Sequence, residues 1–290
     1  MSDKWSEWLK KKRFGDSIFA ESSLKWLFEQ RATILGAAAI NKGETVLDAG
    51  AGDGVLGIGA MDLIGETGKI IFCDISSDAL ALCKEAYDVT SFRSHAEFIV
   101  AGVEDLSVIP DCTVDVIIER AVLLYTQLKQ SALREYRRIL RPGGRLSMQE
   151  PVNRFVAERL AERKIFFGYD FTPLGVIGEK ILSAFEFPPD YRYNTMLNYD
   201  ERDLMNWLLE AGFREIRMLY DAQLHSSGTW PSFEAFLHSS PNPNAPTLYE
   251  AMERELTPTE QKQSLEYFRP LVKNQPALRA NAIVNFLALK

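Results

Sequence analysis

The chain has 290 residues, of which 46% are hydrophobic and 25% are charged, a composition that suits a globular protein with a full core. Its formal net charge of −7 would repel a phosphate backbone unless basic residues were gathered on one face, so we expect no nucleic-acid partner. The apolar runs are shorter than the ~20 residues of a membrane span, and the three cysteines are too few for a disulfide framework or a metal-ligand set. We therefore expect a cytoplasmic protein with no membrane contact and no metal.

The N-terminal segment, residues 1–40, is predicted to be mainly helical. Residues 1–17 lack the apolar region and cleavage site of a secretion signal, so we expect a protein that is not secreted. The basic residues 10–13 are interpreted as a solvated stretch, with an anionic partner or a lid over a ligand as the alternatives. Residues 19–40 predict a helix with Leu24, Leu27 and Ile34 on one stripe, packed on the edge or mouth of a sheet.

Residues 41–151 alternate short apolar runs with amphipathic stretches, which predicts βαβ units and a mostly parallel sheet. The predicted strands are residues 45–49, 69–74, 97–101, 114–119 and 145–150. Residues 76–88 give the clearest helix, with Ser76 or Ser77 as its cap. In the segment RILRPGGRL, Pro142 and Gly143 predict a sharp turn, with a positive φ at Gly143, between a helix and the fifth strand.

After residue 151 the alternation lapses twice into segments rich in aromatic residues and prolines. We predict one α/β domain over residues 1–290, with cap insertions at 152–199 and 225–279 and completion of the sheet by 200–224 and 280–290. The aromatic residues of the first insertion are expected to form cap core more often than a stacking platform; they are Phe166, Phe167, Phe171, Phe185 and Phe187.

A glycine-rich loop follows the first predicted strand in the sequence VLDAGAGDGVLG, residues 46–57. It contains a literal G-x-G-x-x-G, but the glycine next to the strand is Gly50, so the register differs from a dinucleotide fingerprint. Asp48 and Asp53 would also face a pyrophosphate at an unfavourable cost of several kcal/mol. A positively charged ligand would be stabilised there instead.

Asp74 ends the second predicted strand, about twenty residues beyond the loop, where a carboxylate can accept hydrogen bonds from both ribose hydroxyls. A ribose together with positive charge describes S-adenosylmethionine, which has no phosphate. A tight turn without any ligand is the structural alternative for such a loop.

The segments VLDAGAGDGVLG, IIFCDIS, AGVEDL, VDVIIERAVLLY and RILRPGGRL resemble the successive motifs of class I S-adenosylmethionine-dependent methyltransferases, over residues 30–151. The resemblance implies a Rossmann-like seven-stranded sheet of order 3-2-1-4-5-7-6 with the last strand antiparallel. It also implies that Gly50, Gly52 and Gly54 pass close to the methionine part of S-adenosylmethionine. Asp48 would then help to hold the ammonium and Asp74 the ribose.

One position departs from the family pattern. Many members carry an acidic residue for the adenine amine where this chain has Gly102. The resemblance then assigns adenine recognition to the backbone around Val103 or to Glu104.

The methyl acceptor is expected to be a small, partly apolar molecule that accepts at O, N or C, as in the small-molecule branch of the family. The fourth predicted strand is followed by Arg120-Ala121. Methyltransferases that act on nucleic-acid amines typically have an Asn/Asp-Pro-Pro-aromatic motif at this place. An RNA or protein methyltransferase, a non-catalytic S-adenosylmethionine-binding protein and an NAD-dependent oxidoreductase are the alternatives. The acceptor is free or carrier-bound, and a homodimer is a further expectation.

Candidate catalytic residues are Glu150, as a base or acceptor anchor, Tyr125, and His225 as a base. Arg120 is expected either to orient S-adenosylmethionine or an acidic acceptor, or to pair with Glu119 or Glu150. Further acceptor-side candidates are Asn153, Tyr169 and Tyr191.

Overall fold

The computed structural model describes residues 4, 17–91, 95–185, 193–226 and 228–290, with backbone only for residues 17–23 and 162. The predictions for residues 10–13, Phe187 and Tyr191 lie outside the described residues.

A seven-stranded sheet forms the centre of the molecule. Its strands are β1 Thr45–Ala49, β2 Lys69–Asp74, β3 His95–Val100, β4 Val114–Arg120, β5 Leu140–Pro151, β8 Arg214–Ser226 and β9 Leu278–Leu289, while β6 Ile165–Phe166 and β7 Tyr169–Asp170 pair separately. The sheet order is β3-β2-β1-β4-β5-β9-β8. Strand β9 runs antiparallel to both of its neighbours, β5 and β8. Numbered within this sheet, the order is 3-2-1-4-5-7-6, so the predicted topology is confirmed.

Ten α-helices are described: α1 Ser17–Ala38, α2 Val55–Ile64, α3 Ser77–Asp88, α4 Lys129–Ile139, α5 Asn153–Arg159, α6 Val176–Ser183, α7 Glu201–Glu210, α8 Phe233–His238, α9 Leu248–Glu255 and α10 Pro258–Asn274. The predicted cap of α3 is Ser76, whose hydroxyl accepts the Ala79 N–H at 2.9 Å. Asp200 and Asp203 form a reciprocal capping box that fixes the start of α7. Gly143 has the predicted positive φ, +78°.

Helices cover both faces of the sheet, which explains the continuous apolar character of β2 and β4. Helices α1, α2 and α3 pack on one face, against Val46 and Ile118 among others. Helices α4 and α7 pack on the other face, against Leu47 and Ile117. Because side chains alternate along a strand, Asp48 faces the α1 side and Glu119 faces the α4 side.

Three alternate side chains of β5 attach α1 to the sheet. Arg145 donates to the carbonyl oxygens of Ala38 and Ala39 and pairs with Glu44 at 2.8 Å. Ser147 donates to the Ile34 carbonyl at 2.8 Å. Gln149 donates to side-chain oxygens of Gln30 and Asn285, at 2.8 and 2.9 Å. These contacts fix α1 over the centre of the sheet.

The buried stripe of α1 differs in part from its prediction. Leu27 and Ile34 are buried, as expected, but Leu24 is 37% exposed. The prediction for Leu24 is therefore wrong, because the sheet contact of α1 is made by its C-terminal half.

The two segments predicted as insertions share one hydrophobic cluster, centred on Phe171, Phe236 and Phe268. The predicted aromatic residues Phe166, Phe167, Phe171 and Phe185 belong to it or pack against it. The indole N–H of Trp230 donates to the Phe167 carbonyl at 3.0 Å, and the Leu278 N–H donates to the Gly168 carbonyl at 2.9 Å. We call this cluster the cap; it is joined to the start of β9.

Across the described residues, no helix combines the length and the apolar character needed to cross a membrane.

Replacing Arg145 by leucine should lower the free energy of unfolding by ~2 to 4 kcal/mol, because Glu44 keeps its charge in a partly buried site without its partner. Arg141→Leu is the matched control: Arg141 also pairs with a carboxylate, that of Asp115, but its side chain is half exposed. The control should lose less than ~1 kcal/mol. Chemical denaturation measures both variants, and equal losses would contradict the anchoring role of Arg145.

Candidate active site

The loops after β1 and β4 face each other at the carboxyl edge of the sheet, where the strand order reverses. Open α/β sheets bind ligands at this switch point. The two loops are in contact: a Cβ atom on Gly50 would lie 2.2 Å from Cγ2 of Val122. Gly50 also has φ of +68°, which side chains rarely tolerate. Gly50 therefore sets how closely the two loops approach.

The other loop glycines also have positive φ, +56° at Gly52 and +85° at Gly54. A Cβ on Gly54 would lie 2.6 Å from the Cys83 sulfur in α3. At Gly50 and Gly54 the missing side chain thus makes room for protein neighbours. The predicted approach of the loop backbone to a ligand stays a prediction.

Asp48 caps α2 from the neighbouring strand. The N-cap residue of this helix, Gly54, has no side chain, and the Asp48 carboxylate accepts the N–H of Gly57 in the first turn at 2.7 Å. A negative charge is favourable at a helix N-terminus. Asp48 therefore holds the loop and the helix in register.

The Asp48 carboxyl is almost completely buried. Burial, together with the nearby charges of Asp74 and Asp53, raises its pKa to about 7, against the lowering effect of the Gly57 N–H. A carboxyl group in this state gains its charge more readily when a cation is placed beside it. The predicted contact of Asp48 with a positively charged ligand group stays a prediction.

Asp74 closes the other side of the loop. Its Oδ2 accepts the Gly52 N–H and its Oδ1 accepts the Ser76 N–H, both at 2.8 Å. A carboxylate can accept about four hydrogen bonds, so Asp74 can also accept ribose hydroxyls. The two backbone contacts fix the orientation of the carboxylate, and its contact with a ribose stays a prediction.

The loop after β3 lies beside Asp74, since the Ala101 N–H donates to the Asp74 carbonyl at 3.0 Å. Val103 is buried, and the Glu104 carboxylate folds back over Gly102: a Cβ on Gly102 would lie 2.9 Å from its Oε2. The Glu104 carboxylate therefore occupies space that a side chain at position 102 would need. Many family members carry an acidic residue at that position. Adenine recognition by Val103 or Glu104 stays a prediction.

Glu150 is fully buried beneath the turn that follows β4. Its Oε1 accepts the N–H groups of Val122 and Leu123 at 2.7 and 2.9 Å. Its Oε2 accepts the Leu124 N–H at 3.1 Å and the Tyr199 hydroxyl at 3.2 Å. This environment contradicts the prediction that Glu150 contacts the acceptor as a base or anchor. Glu150 instead positions the turn that abuts Gly50.

A buried polar cluster surrounds Glu150 on the α4 side, and sequence reasoning missed most of it. Burial, followed by the charge of Glu150, raises the pKa of Glu119 well above its ordinary value. Burial lowers the pKa of Lys129 to about 8, and its ammonium donates to the Thr126 carbonyl at 2.8 Å. Tyr136 is buried nearby. These residues gave no signal because each stands at a core position of its strand or helix.

Arg120 lies at the end of β4, on the α1 face, with its guanidinium 5.2 Å from the Trp26 ring centre. Strand alternation places Glu119 and Glu150 on the opposite face, which contradicts the predicted ion pair with either one. Its role toward S-adenosylmethionine stays a prediction.

Tyr125 lies in the turn that follows β4, and its catalytic role stays a prediction. It ends the turn Leu123–Tyr125 that Glu150 holds, and it is partly buried. Of the other acceptor-side candidates, Tyr169 is buried and donates to the Gln275 carbonyl at 3.2 Å, while Asn153 begins α5.

His225 lies on β8, at the outer edge of the sheet and three strand positions from β4. Three inter-strand spacings amount to roughly 14 Å. A base must lie within hydrogen-bonding distance of the reacting group. This position contradicts the prediction of His225 as the base for an acceptor atom at the crevice.

The model of the methyltransferase-domain family matches residues 40–181. The ubiquinone/menaquinone biosynthesis C-methyltransferase UbiE of Escherichia coli O1:K1 is 30% identical over 185 residues, which cover 63% of this chain and 71% of UbiE. The chain belongs to the class I S-adenosylmethionine-dependent methyltransferases. This methyltransferase is therefore not the NAD-dependent oxidoreductase that a literal G-x-G-x-x-G suggests.

Two solved structures share the fold of this methyltransferase. The YcgJ protein of Bacillus subtilis has a TM-score of 0.56 at 13% identity, covering 91% of this chain and 98% of YcgJ. The BH2331 protein of Bacillus halodurans C-125 has a TM-score of 0.53 at 17% identity, covering 90% of this chain and 99% of BH2331.

Binding of S-adenosylhomocysteine to this methyltransferase should release protons near pH 7. The ligand ammonium lowers the pKa of Asp48 from about 7, so the charged carboxyl, which forms as pH rises, is the binding form. Affinity should rise up to ~10-fold from pH 6 to pH 8, the effect of a one-unit pKa shift. Calorimetry in two buffers of different ionisation enthalpy measures the protons. The affinity of Asp48→Asn for S-adenosylhomocysteine should not change between pH 6 and pH 8. Proton uptake when the wild-type protein binds the ligand would contradict the role of Asp48.

Replacing Glu150 by glutamine should lower the free energy of unfolding by ~1 to 3 kcal/mol, because an amide donor then faces backbone N–H donors in a buried site. Amide hydrogen exchange of Val122, Leu123 and Leu124 should quicken more than exchange in β1. Glu210→Gln, on the exposed side of α7, is the control and should change neither quantity. Unchanged exchange in the turn would show that Glu150 does not hold it.

Proposed function

We propose that this methyltransferase transfers the methyl group of S-adenosylmethionine to a small, partly apolar molecule. The observation that carries the proposal is the pair of carboxylates, Asp48 and Asp74, on the two sides of the glycine loop. The aromatic cap supports an acceptor with apolar surface, because pockets for small molecules are lined mainly by apolar and aromatic side chains.

The residues at the crevice fit S-adenosylmethionine. Asp74 would accept the ribose hydroxyls, and Asp48 would supply negative charge for the ammonium, with Arg120 at the adjoining end of β4. The backbone of Val103 and the carboxylate of Glu104 would meet the adenine. When bound, S-adenosylmethionine supplies an electrophilic methyl group on a sulfonium for in-line displacement.

The chain contributes mainly by positioning. Glu150 fixes the turn after β4 against Gly50. The turn that contains Tyr125 and the glycine loop therefore form one rigid unit. Holding two reactants in near-attack geometry can lower a barrier by ~7 to 11 kcal/mol. Tyr125 would contact the acceptor from this unit. A base is needed only if the acceptor is a hydroxyl or an acidic carbon.

The similarity to UbiE, named as a C-methyltransferase of ubiquinone/menaquinone biosynthesis, favours acidic carbons of quinol-like rings as the first acceptors to test. Phenols and aromatic amines cover the O and N alternatives. A carrier-bound acceptor and a homodimer stay predictions from the sequence.

Asp74→Ala should weaken S-adenosylhomocysteine binding by ~10- to 150-fold, because the ribose hydroxyls lose a charged acceptor worth ~1.5 to 3 kcal/mol. Asp88→Ala, which removes an exposed carboxylate at the end of α3, is the control and should leave the affinity unchanged. Calorimetric titration measures both variants, with thermal unfolding as the check on folding. Equal affinities of the wild-type protein and Asp74→Ala would refute the ribose assignment.

Turnover is tested by incubating the protein with S-adenosylmethionine and the three acceptor classes, with mass spectrometry of S-adenosylhomocysteine and methylated product. A methylated product that is lost in Asp74→Ala supports the proposal. Tight binding of S-adenosylhomocysteine without product from any class would favour the non-catalytic alternative.

A further inference from the structure

Arg279 is a partly buried cation at the start of β9, where this strand joins the cap. Its guanidinium lies 5.4 Å from the ring centre of Trp230. Burial lowers its pKa, opposed by the nearby Tyr169, but a guanidinium stays charged at neutral pH. Within the described chain, no carboxylate lies within 4.0 Å of Arg279.

Three other partly buried arginines of this acidic chain have carboxylate partners, whereas Arg137 donates to the Gly212 carbonyl and Arg31 lies over the Phe28 ring. Arg138 pairs with Glu135 at 2.8 Å, Arg145 pairs with Glu44 at 2.8 Å, and Arg154 lies 3.7 Å from Asp200. Withdrawing a cation from water without an anion is costly. Arg279 therefore lacks a described anionic partner in a chain that has 40 acidic residues.

Arg279 lies on the same face of the sheet as Asp48 and Arg120. Asn285 contacts Gln149 on the α1 side, and alternate residues of β9 share that face as far as Arg279. His225 of β8 is the direct cross-strand neighbour of Arg279, so their side chains also share a face.

Arg279 extends beyond the carboxyl edge of the sheet. The register aligns Arg120 with Gln149 and Gln149 with Asn285, which marks the level of the crevice. From Asn285 to Arg279 the strand advances by roughly 20 Å, at ~3.4 Å per residue. Strand β9 pairs with β5 only as far as Ile283, so Arg279 lies past β5 and beside the cap.

We propose that Arg279, with the Trp230 ring beside it and His225 opposite it, binds an anionic group at the end of an elongated acceptor remote from the methylated atom. This inference rests on the proposed function and names its substrate class: a partly apolar molecule with a terminal carboxylate or phosphate. A guanidinium forms paired hydrogen bonds with either group. The Trp230 ring, which already contacts the Arg279 guanidinium, offers apolar surface to the part of the acceptor that carries the anionic group.

The test uses three probes that share an apolar phenylbutyl chain: 4-phenylbutyrate, 4-phenylbutyl phosphate and the neutral 4-phenylbutan-1-ol. Their affinities for the full chain are measured by calorimetry in the presence of S-adenosylhomocysteine. At least one anionic probe should bind ~10-fold or more tightly than the alcohol. The preferred anion distinguishes a carboxylic acid from a phosphate ester, such as that of a carrier-bound acceptor.

Arg279→Gln should abolish the preference for the anion while leaving binding of the alcohol and of S-adenosylhomocysteine unchanged. Arg279→Lys should keep part of the preference, because it retains the charge but not the paired donors. The matched control is Arg217→Gln, which removes an exposed arginine from the same face of β8 and should change nothing.

Two results would overturn the inference: equal affinity of the wild-type protein for the anions and the alcohol, or an anion preference that survives in Arg279→Gln. The first does not depend on any variant. If the wild-type protein does not bind S-adenosylhomocysteine at all, the proposed function is refuted instead. Failure of this inference and failure of the proposed function therefore give different results.

Discussion

The contact between the loops after β1 and β4 depends on buried carboxylates on both faces of the sheet. On the α1 side, Asp48 accepts the N–H of Gly57 and holds the glycine loop to α2. On the α4 side, Glu150 accepts three consecutive N–H groups of the turn after β4. Hydrogen bonds to a buried charge are among the stronger ones in proteins. The crevice is therefore built by backbone groups that two carboxylates keep in place.

This construction places negative charge where the ligand is expected to bring positive charge. Burial raises the pKa of both Asp48 and Glu119, and neighbouring carboxylates raise each of them further. The two buried acids differ in position: Glu119 lies near Glu150 on the α4 side, and Asp48 lies beside the glycine loop. A cation placed beside Asp48 would favour its charged form.

Much of the fold could be predicted because its signals are local. The strand before the glycine loop, the Ser76 cap and the positive φ of Gly143 each depend on a few neighbouring residues, and the structure confirms them. The turn predicted at Pro142 and Gly143 is instead an irregular stretch within β5, which begins at Leu140. The position of Asp74 beside the glycine loop could be predicted for the same reason, since this residue ends a strand next to the loop. The family resemblance added the sheet order, which no local pattern contains.

The acceptor side could not be predicted in the same way. Glu150 and a catalytic carboxylate have the same sequence context, a strand end, and only the position of the turn after β4 separates the two roles. His225 was singled out as a rare histidine, although the strand order decides its distance from the crevice. Arg279 gave no signal within its strand, because the absence of a partner is a property of the folded neighbourhood.

The measurement that tests the account most directly is calorimetric titration of the wild-type chain with S-adenosylhomocysteine and, separately, with NAD. The account predicts micromolar binding of S-adenosylhomocysteine and none of NAD, because Asp48 and Asp53 place negative charge where a pyrophosphate would need positive charge. Tight binding of NAD without binding of S-adenosylhomocysteine would contradict it.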